Sequence, residues 1–374
     1  MASIEQTANN YCSLAFNGLY YQNNSAGPCC AMGTEPLSPN EYIASKDTLK
    51  LQQDFINGLK PSRCDNCWTK EKFGYKSIRI NYKHRQKQLN KITHMELRES
   101  NLCNFACRMC NANDSIVIER EIKANPELQQ FFSLYNEKPT TSENWNQILE
   151  LTKDVESINL TGGEPMLMKK YQHLLDHLIS TGKENIALNV YTNGSVYNSL
   201  FLEKLMKFPN SKLIFSIDAV GKIAEYQRYG TKWENVREII LRCAELPINM
   251  RIHSTITAYS ILGVSELADF FVELSNANKG NLQSFTAHVV RNPDTLEIVN
   301  LNVDLRVMAI KKIDIAITKL ANNKLFLTYI KELLSVKKQL MIRKDCNHKT
   351  FTNMTKTLDK VRNQSFEDTF GYKI

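Results

Sequence analysis

Between residues 92 and 290 the spacing of hydrophobic positions switches repeatedly between two periods. Short runs rich in Ile, Leu, Val and Tyr at 92–98, 155–160, 186–191, 213–217, 248–256 and 282–290 read as six strands. The stretches 115–122, 171–180, 233–246 and 264–274 read as helices between them. In 171–180, for example, Leu174, Leu175, Leu178 and Ile179 fall on one face. Beyond residue 303 the pattern is helical, over 303–321, 325–336 and 351–361, and the tail 358–370 is expected to pack back on the body. Residues 1–80 are polar loops with little periodicity, too short to bury a core unaided.

Strands alternating with helices predict an α/β protein with a mostly parallel sheet. Right-handed crossovers would close it, or partly close it, into a TIM-like barrel of six units, a partial (β/α)6 arrangement with functional loops at the strand C-termini. The expected organisation is a cysteine-rich module at 1–82, a basic linker at 83–91, the barrel at 92–300 and a helical region at 301–374.

Composition narrows the class. Hydrophobic residues at 43% and charged residues at 23% are those of a globular chain, and no apolar run approaches the roughly 20 residues needed to span a bilayer. The start, Met1 to Thr7, has neither a basic n-region nor an apolar stretch, so a cytoplasmic protein without a membrane partner is expected. Of ten cysteines, eight lie within the first 110 residues. In a reducing compartment they read as metal-ligating thiolates rather than disulfides. Cys243 and Cys346 are expected to be buried or incidental. The net charge of +8 is scattered, except in the run 83–91, which is either a solvated linker or a phosphate contact for an RNA partner.

The chemistry concentrates at Cys103, Cys107 and Cys110, spaced C-x3-C-x2-C directly after the first predicted strand. Thiolates are soft ligands for zinc or for iron–sulfur clusters, and three of them on a four-iron cube leave one iron open. The next predicted strand ends in Gly162-Gly163-Glu164-Pro165. Its glycines admit close backbone approach, and its carboxylate can accept hydrogen bonds from an ammonium group. The two strands after that end near Thr192-Asn193 and near Ser216 and Asp218, with short polar side chains suited to hydroxyl or carboxylate contacts, or simply to capping and turns. Upstream, Cys64 and Cys67 at C-x2-C spacing, with Cys12 and either Cys29 or Cys30, can complete a second four-thiolate set for zinc or a [4Fe–4S] cluster.

The cysteine triplet followed in order by GGEP resembles the radical SAM superfamily. That resemblance implies a [4Fe–4S] cluster on Cys103, Cys107 and Cys110, with S-adenosylmethionine chelated at the open iron. It implies contacts from Gly162, Gly163 and Glu164 to the cofactor's amino group, and from Thr192, Asn193, Ser216 and Asp218 to its ribose and carboxylate. Arg228 would pair with that carboxylate or form a surface salt bridge. Met109 stands where many members carry an aromatic residue near the adenine. The order Cys12, Cys29-Cys30, Cys64-x2-Cys67-Trp68, then Glu71, Gly74, Ser77 and Arg79, resembles the auxiliary-cluster segment of relatives with SPASM or twitch modules, although here it precedes the barrel. The resemblance implies an enzyme that forms a 5′-deoxyadenosyl radical and abstracts hydrogen from a peptide or a small molecule such as a sugar, with an electron donor such as a flavodoxin or ferredoxin. RNA as the substrate, and a non-catalytic Fe–S or zinc protein that binds a partner, are the alternatives.

Overall fold

The computed structural model describes residues 10–72, 76–82, 91–135, 138–278, 280–342 and 347–374. Met1 to Thr7, Gly74, Cys346 and positions 83–90 of the basic run lie outside the described residues.

The described residues form eleven strands in chain order: β1 Gly18–Gln22, β2 Ser25–Cys29, β3 Gly33–Glu35, β4 His94–Arg98, β5 Ala106–Cys107, β6 Ser157–Thr161, β7 Ala187–Thr192, β8 Lys212–Ser216, β9 Arg228–Tyr229, β10 Asn249–Ile256 and β11 Leu282–Val289. Nine make one sheet in the order β11-β10-β8-β7-β6-β4-β1-β2-β3, and β5 and β9 form a small ladder of their own. The six predicted strands are β4, β6, β7, β8, β10 and β11, each within two residues of its expected bounds. They are joined parallel in chain order. Helices such as Lys169–Ser180 and Trp233–Cys243 fill the crossovers, as the parallel pairing requires.

The two faces of the sheet differ. Ile158, Leu160, Leu188, Val190, Leu213, Phe215, Met250 and Ile252 are almost fully buried in the main core, which also holds the crossover-helix residues Tyr171, Leu174, Leu175 and Leu178. The alternating positions, among them Glu96, Asn159, Asn189, Tyr191, Lys212, Arg251 and His253, form a polar inner face.

The N-terminal segment is not the run of loops its weak periodicity predicts. Strand β1 pairs parallel with β4, Tyr20 opposite Glu96 and Gln22 opposite Arg98, so this segment continues the sheet. Strands β1 and β2 join through Asn23-Asn24, both at positive φ (54° and 56°), as a two-residue hairpin turn requires. Asn24 is then held by the Asn144 side chain at 3.1 Å and the Thr141 N–H at 3.0 Å. A second, smaller core lies beneath, built from Cys12, Leu14, Ala15, Phe16, Leu51 and Phe55, with Cys29, Cys64 and Trp68 packed against it.

The C-terminal region is helical, over Val303–Leu320, Leu327–Ile342, His348–Arg362 and Phe366–Phe370. Its end returns to the barrel through an aromatic cluster of Tyr226, Tyr259, Phe351, Phe366 and Phe370. Among the described residues no helix is long and apolar enough to cross a membrane.

Candidate active site

The cysteine loop leaves β4 and is closed by its own backbone. Ser115 caps helix Ile116–Ala124, donating to the Phe105 carbonyl and receiving the N–H groups of Val117 and Ile118. Ladder β5–β9 sets Cys107 opposite Arg228. Between the cysteines, Arg108 turns inward with no exposed surface. Its guanidinium lies 3.6 Å from the Tyr226 ring centroid and donates to Asp359 at 2.5 Å and Gln364 at 2.9 Å on the C-terminal tail. A sequence reading that takes a lone Arg in a loop for surface misses this anchor.

The GGEP loop is hooked onto the cysteine loop. Gly163 N–H donates to the Ser100 carbonyl and Glu164 N–H to that of Leu102, at 3.2 and 2.8 Å. Glycine is required here, because a Cβ on Gly163 would stand 2.2 Å from the Leu102 oxygen, and Gly162 sits at φ +109°. Glu164 is fully buried. One oxygen accepts from the Asn193 N–H at 2.7 Å, and the other from the Thr192 hydroxyl at 2.9 Å and the Met166 N–H at 3.1 Å. Burial pushes its carboxyl up to about 7 against the pull of those donors.

Asn193 links this loop to the first cysteine. Its side-chain amide reaches Asn104 at 3.1 Å and the Cys103 sulfur at 3.8 Å. Arg228 reaches the Cys107 sulfur, also at 3.8 Å. The Cys107 thiol is held low, first by its hydrogen bond with Cys110 and then by Arg228, while that same bond and burial push Cys110 up. Asp218 pairs with Arg228 at 2.7 Å, and also takes the Gln227 amide at 2.7 Å and the Thr255 N–H at 2.7 Å. Asp218 and Arg228, expected to contact a ligand separately, are thus bonded to each other. Ser216 ends β8 in register with His253, and Met109 packs half-buried against the core. Gln227, fully buried, was not flagged by the sequence. It joins Asp218 to Thr257 and takes the Arg108 N–H on its carbonyl.

The upstream cysteines divide. Burial is the first cause that raises the Cys12, Cys29 and Cys64 thiols; Cys67 raises all three further, Cys12 raises Cys29 and Cys64, and Cys29 raises Cys64, with Cys29 and Cys64 reaching about 12. Cys30 turns instead to Glu96 on the inner face, with which it shares a hydrogen bond. Below the four, Arg79 is clamped by Glu71 and the Tyr11 carbonyl and lies 4.6 Å from the Trp68 ring centroid, while Ser77 donates to Glu71.

Among the described residues no group of three His, Cys, Asp or Glu side chains is preassembled around a metal position, and the described cysteines are all free thiols. The fit to a metal cluster therefore rests on the donor set. Three thiols on one loop, two of them facing side-chain N–H donors, suit an anionic thiolate-ligated cluster.

A parallel α/β sheet that gathers a three-cysteine loop, a Gly-Gly-Glu loop and a buried Asp–Arg pair at its strand C-termini places them where α/β domains build their ligand sites. Residues 100–270 match the radical SAM superfamily, so the chain carries a radical SAM domain. Among curated proteins it is similar to the radical SAM cyclopropyl synthase TigE of Paramaledivibacter caminithermalis, 25% identical over 166 residues, 42% of this chain and 35% of the relative. It is also similar to a GTP 3′,8-cyclase of Helicobacter pylori, 26% identical over 184 residues, 47% of this chain and 52% of the relative. The chain thus spans about a third to a half of the length of these relatives. Among solved structures, Streptococcus suis SuiB bound to its precursor peptide SuiA is similar at TM-score 0.44 and 17% identity, covering 76% of this chain and 62% of that one.

Proposed function

We propose that this protein is a radical SAM enzyme whose Cys103, Cys107 and Cys110 hold a [4Fe–4S] cluster. When bound and reduced by an external one-electron donor, that cluster would supply one-electron cleavage of S-adenosylmethionine to methionine and a 5′-deoxyadenosyl radical, for hydrogen abstraction from a peptide or small-molecule substrate. The observation that carries the reading is the joint between Glu164, Asn193 and Cys103, which brings a buried carboxylate, an amide and a thiol from three successive loops to one place.

In this reading the chain's own residues bind and orient. Glu164, buried and rich in acceptor capacity, takes the cofactor's ammonium. Gly162 and Gly163 keep that approach free of side chains. Asn193 and Arg228 direct N–H groups at the sulfurs of Cys103 and Cys107, stabilising them as thiolates. Asp218 holds the Arg228 guanidinium in position, and Thr192 and Ser216 line the ribose side.

Cys12, Cys29, Cys64 and Cys67 hold a second Fe–S cluster, supported by the nearness through which Cys12 and Cys67 raise the Cys29 and Cys64 thiols and by the Arg79–Glu71 brace. This second centre anchors the substrate, accepts its electron or braces the fold.

Iron and acid-labile sulfide counts on anaerobically reconstituted protein test the assignment. Two cubes give about eight of each per chain, and alanine at Cys103, Cys107 and Cys110 leaves about four. Zinc without sulfide, or loss of all iron in that variant, contradicts it.

A further inference from the structure

The inner face below the cofactor loops carries two cations with no carboxylate bonded to them among the described residues; its Glu96 is taken by Cys30 and Arg98 instead. Five other inward-turned arginines each have a carboxylate: Arg79 with Glu71, Arg98 with Asp114, Arg108 with Asp359, Arg228 with Asp218 and Arg362 with Glu121. Arg251 on β10 has none among the described residues. It is half-buried, and its Nε is fully buried without a hydrogen-bond partner. Lys212, at the start of β8, points to the same face. Its register partners are Asn189 and Asn249, while those of Arg251 are Ile214 and Ser284, and no carboxylate stands among them.

The two cations are close enough to oppose one another. Burial lowers the Lys212 ammonium first, and Arg251 lowers it further. His253, one inward position above Arg251, is held neutral by burial, by His288 and by Arg251, its value pushed down to about 3. A buried guanidinium N–H without an acceptor, next to a second cation, is costly unless an anion arrives from outside. Arg251 lies two residues along β10 from His253, about 7 Å, and His253 is in register with Ser216 of the cofactor site.

We propose that Arg251 and Lys212 form the subsite for an anionic group of the substrate, a carboxylate or a phosphate, held on the inner face beneath the cofactor loops. The proposal rests on the radical SAM reading and deepens it by naming the substrate's charge. The guanidinium fork supplies the directional, two-point contact, and the ammonium supplies charge.

The test is calorimetric titration of the reconstituted protein, at low ionic strength, with phosphate, pyrophosphate and glutarate. The expected result is saturable 1:1 binding of at least one probe, weakened about tenfold or more in R251Q and in K212Q and by a smaller factor in R251K, which keeps the charge but loses the two-point contact. Binding of only the phosphates assigns a phosphoryl group, and binding of only glutarate a carboxylate. Lys212 is partly exposed at the strand end, so K212Q carries the test if R251Q does not fold. No saturable binding of any probe, or binding in both Gln variants as tight as in the wild type, overturns the proposal. Iron content and S-adenosylmethionine binding are measured alongside. They report on the cofactor reading alone, so the two failures are distinguishable.

Discussion

Glu164 accepts a hydrogen bond from the backbone N–H of Asn193 at 2.7 Å, deep beneath two loops that come from different strands. Such a carboxylate is ionised only when its surroundings compensate for burial, and here they do so partly, leaving its value near 7. A ligand ammonium would bind the ionised form. Because the folded value is raised, that form dominates above pH 7 and is lost as pH falls through it. S-adenosylmethionine affinity should therefore drop about tenfold from pH 8 to pH 6, as read by equilibrium dialysis. In E164Q the affinity should be low and flat with pH; a wild-type profile that is equally flat would count against the assigned contact.

Gly163→Ala places a methyl group against the Leu102 carbonyl, which is backbone and cannot rotate away. The loop junction must open, at a cost of about 2–4 kcal/mol. Gly58→Ala, where a Cβ meets open space but the backbone sits at φ +73°, should cost only the left-handed strain, about 1–2 kcal/mol. Urea midpoints of the two variants compare the sites directly.

Arg108→Met removes a fully buried cation from Asp359, which would keep only the Tyr226 hydroxyl and the Phe366 N–H as partners. The expected loss is about 3 kcal/mol. Because the same side chain ties the cysteine loop to the tail, limited proteolysis should cut near residue 363 before the barrel. Unchanged stability would show that the tail docks through its aromatic residues alone.

Cys29→Ser and Cys30→Ser separate two adjacent thiols that the sequence leaves equivalent. Cys29 faces Cys12 and Cys67, whereas Cys30 faces Glu96. The first replacement should remove about half of the bound iron and the second almost none. The reverse pattern would reassign the second centre.

The barrel strands were legible because each is a short, β-branched or aromatic run bounded by a helix of clear period, and parallel order follows from that alternation. The cysteine triplet and the GGEP loop were legible because soft-ligand spacing and paired glycines have few other uses. Strand β1 was not, since its partner β4 lies more than seventy residues away, it opens on Gly18 and its hairpin partner β2 carries a Gly-Pro pair; only Asn23-Asn24 marked the turn. The Asp218–Arg228 pair and the inward turn of Arg108 were equally hidden. Whether an arginine meets solvent, a ligand or a carboxylate depends on residues brought in from other loops. Unpaired Arg251 carries meaning only after the other arginines have been seen with their partners.

The most direct test of the central claim is 5′-deoxyadenosine formation by the anaerobically reconstituted, reduced protein supplied with S-adenosylmethionine, set against the variant with Cys103, Cys107 and Cys110 replaced by alanine. The account predicts product with the wild-type loop and none with the variant, and retention of product in C64A/C67A. Equal product from wild type and triple variant, or none from fully iron-loaded wild type that also fails to bind the cofactor, would contradict it.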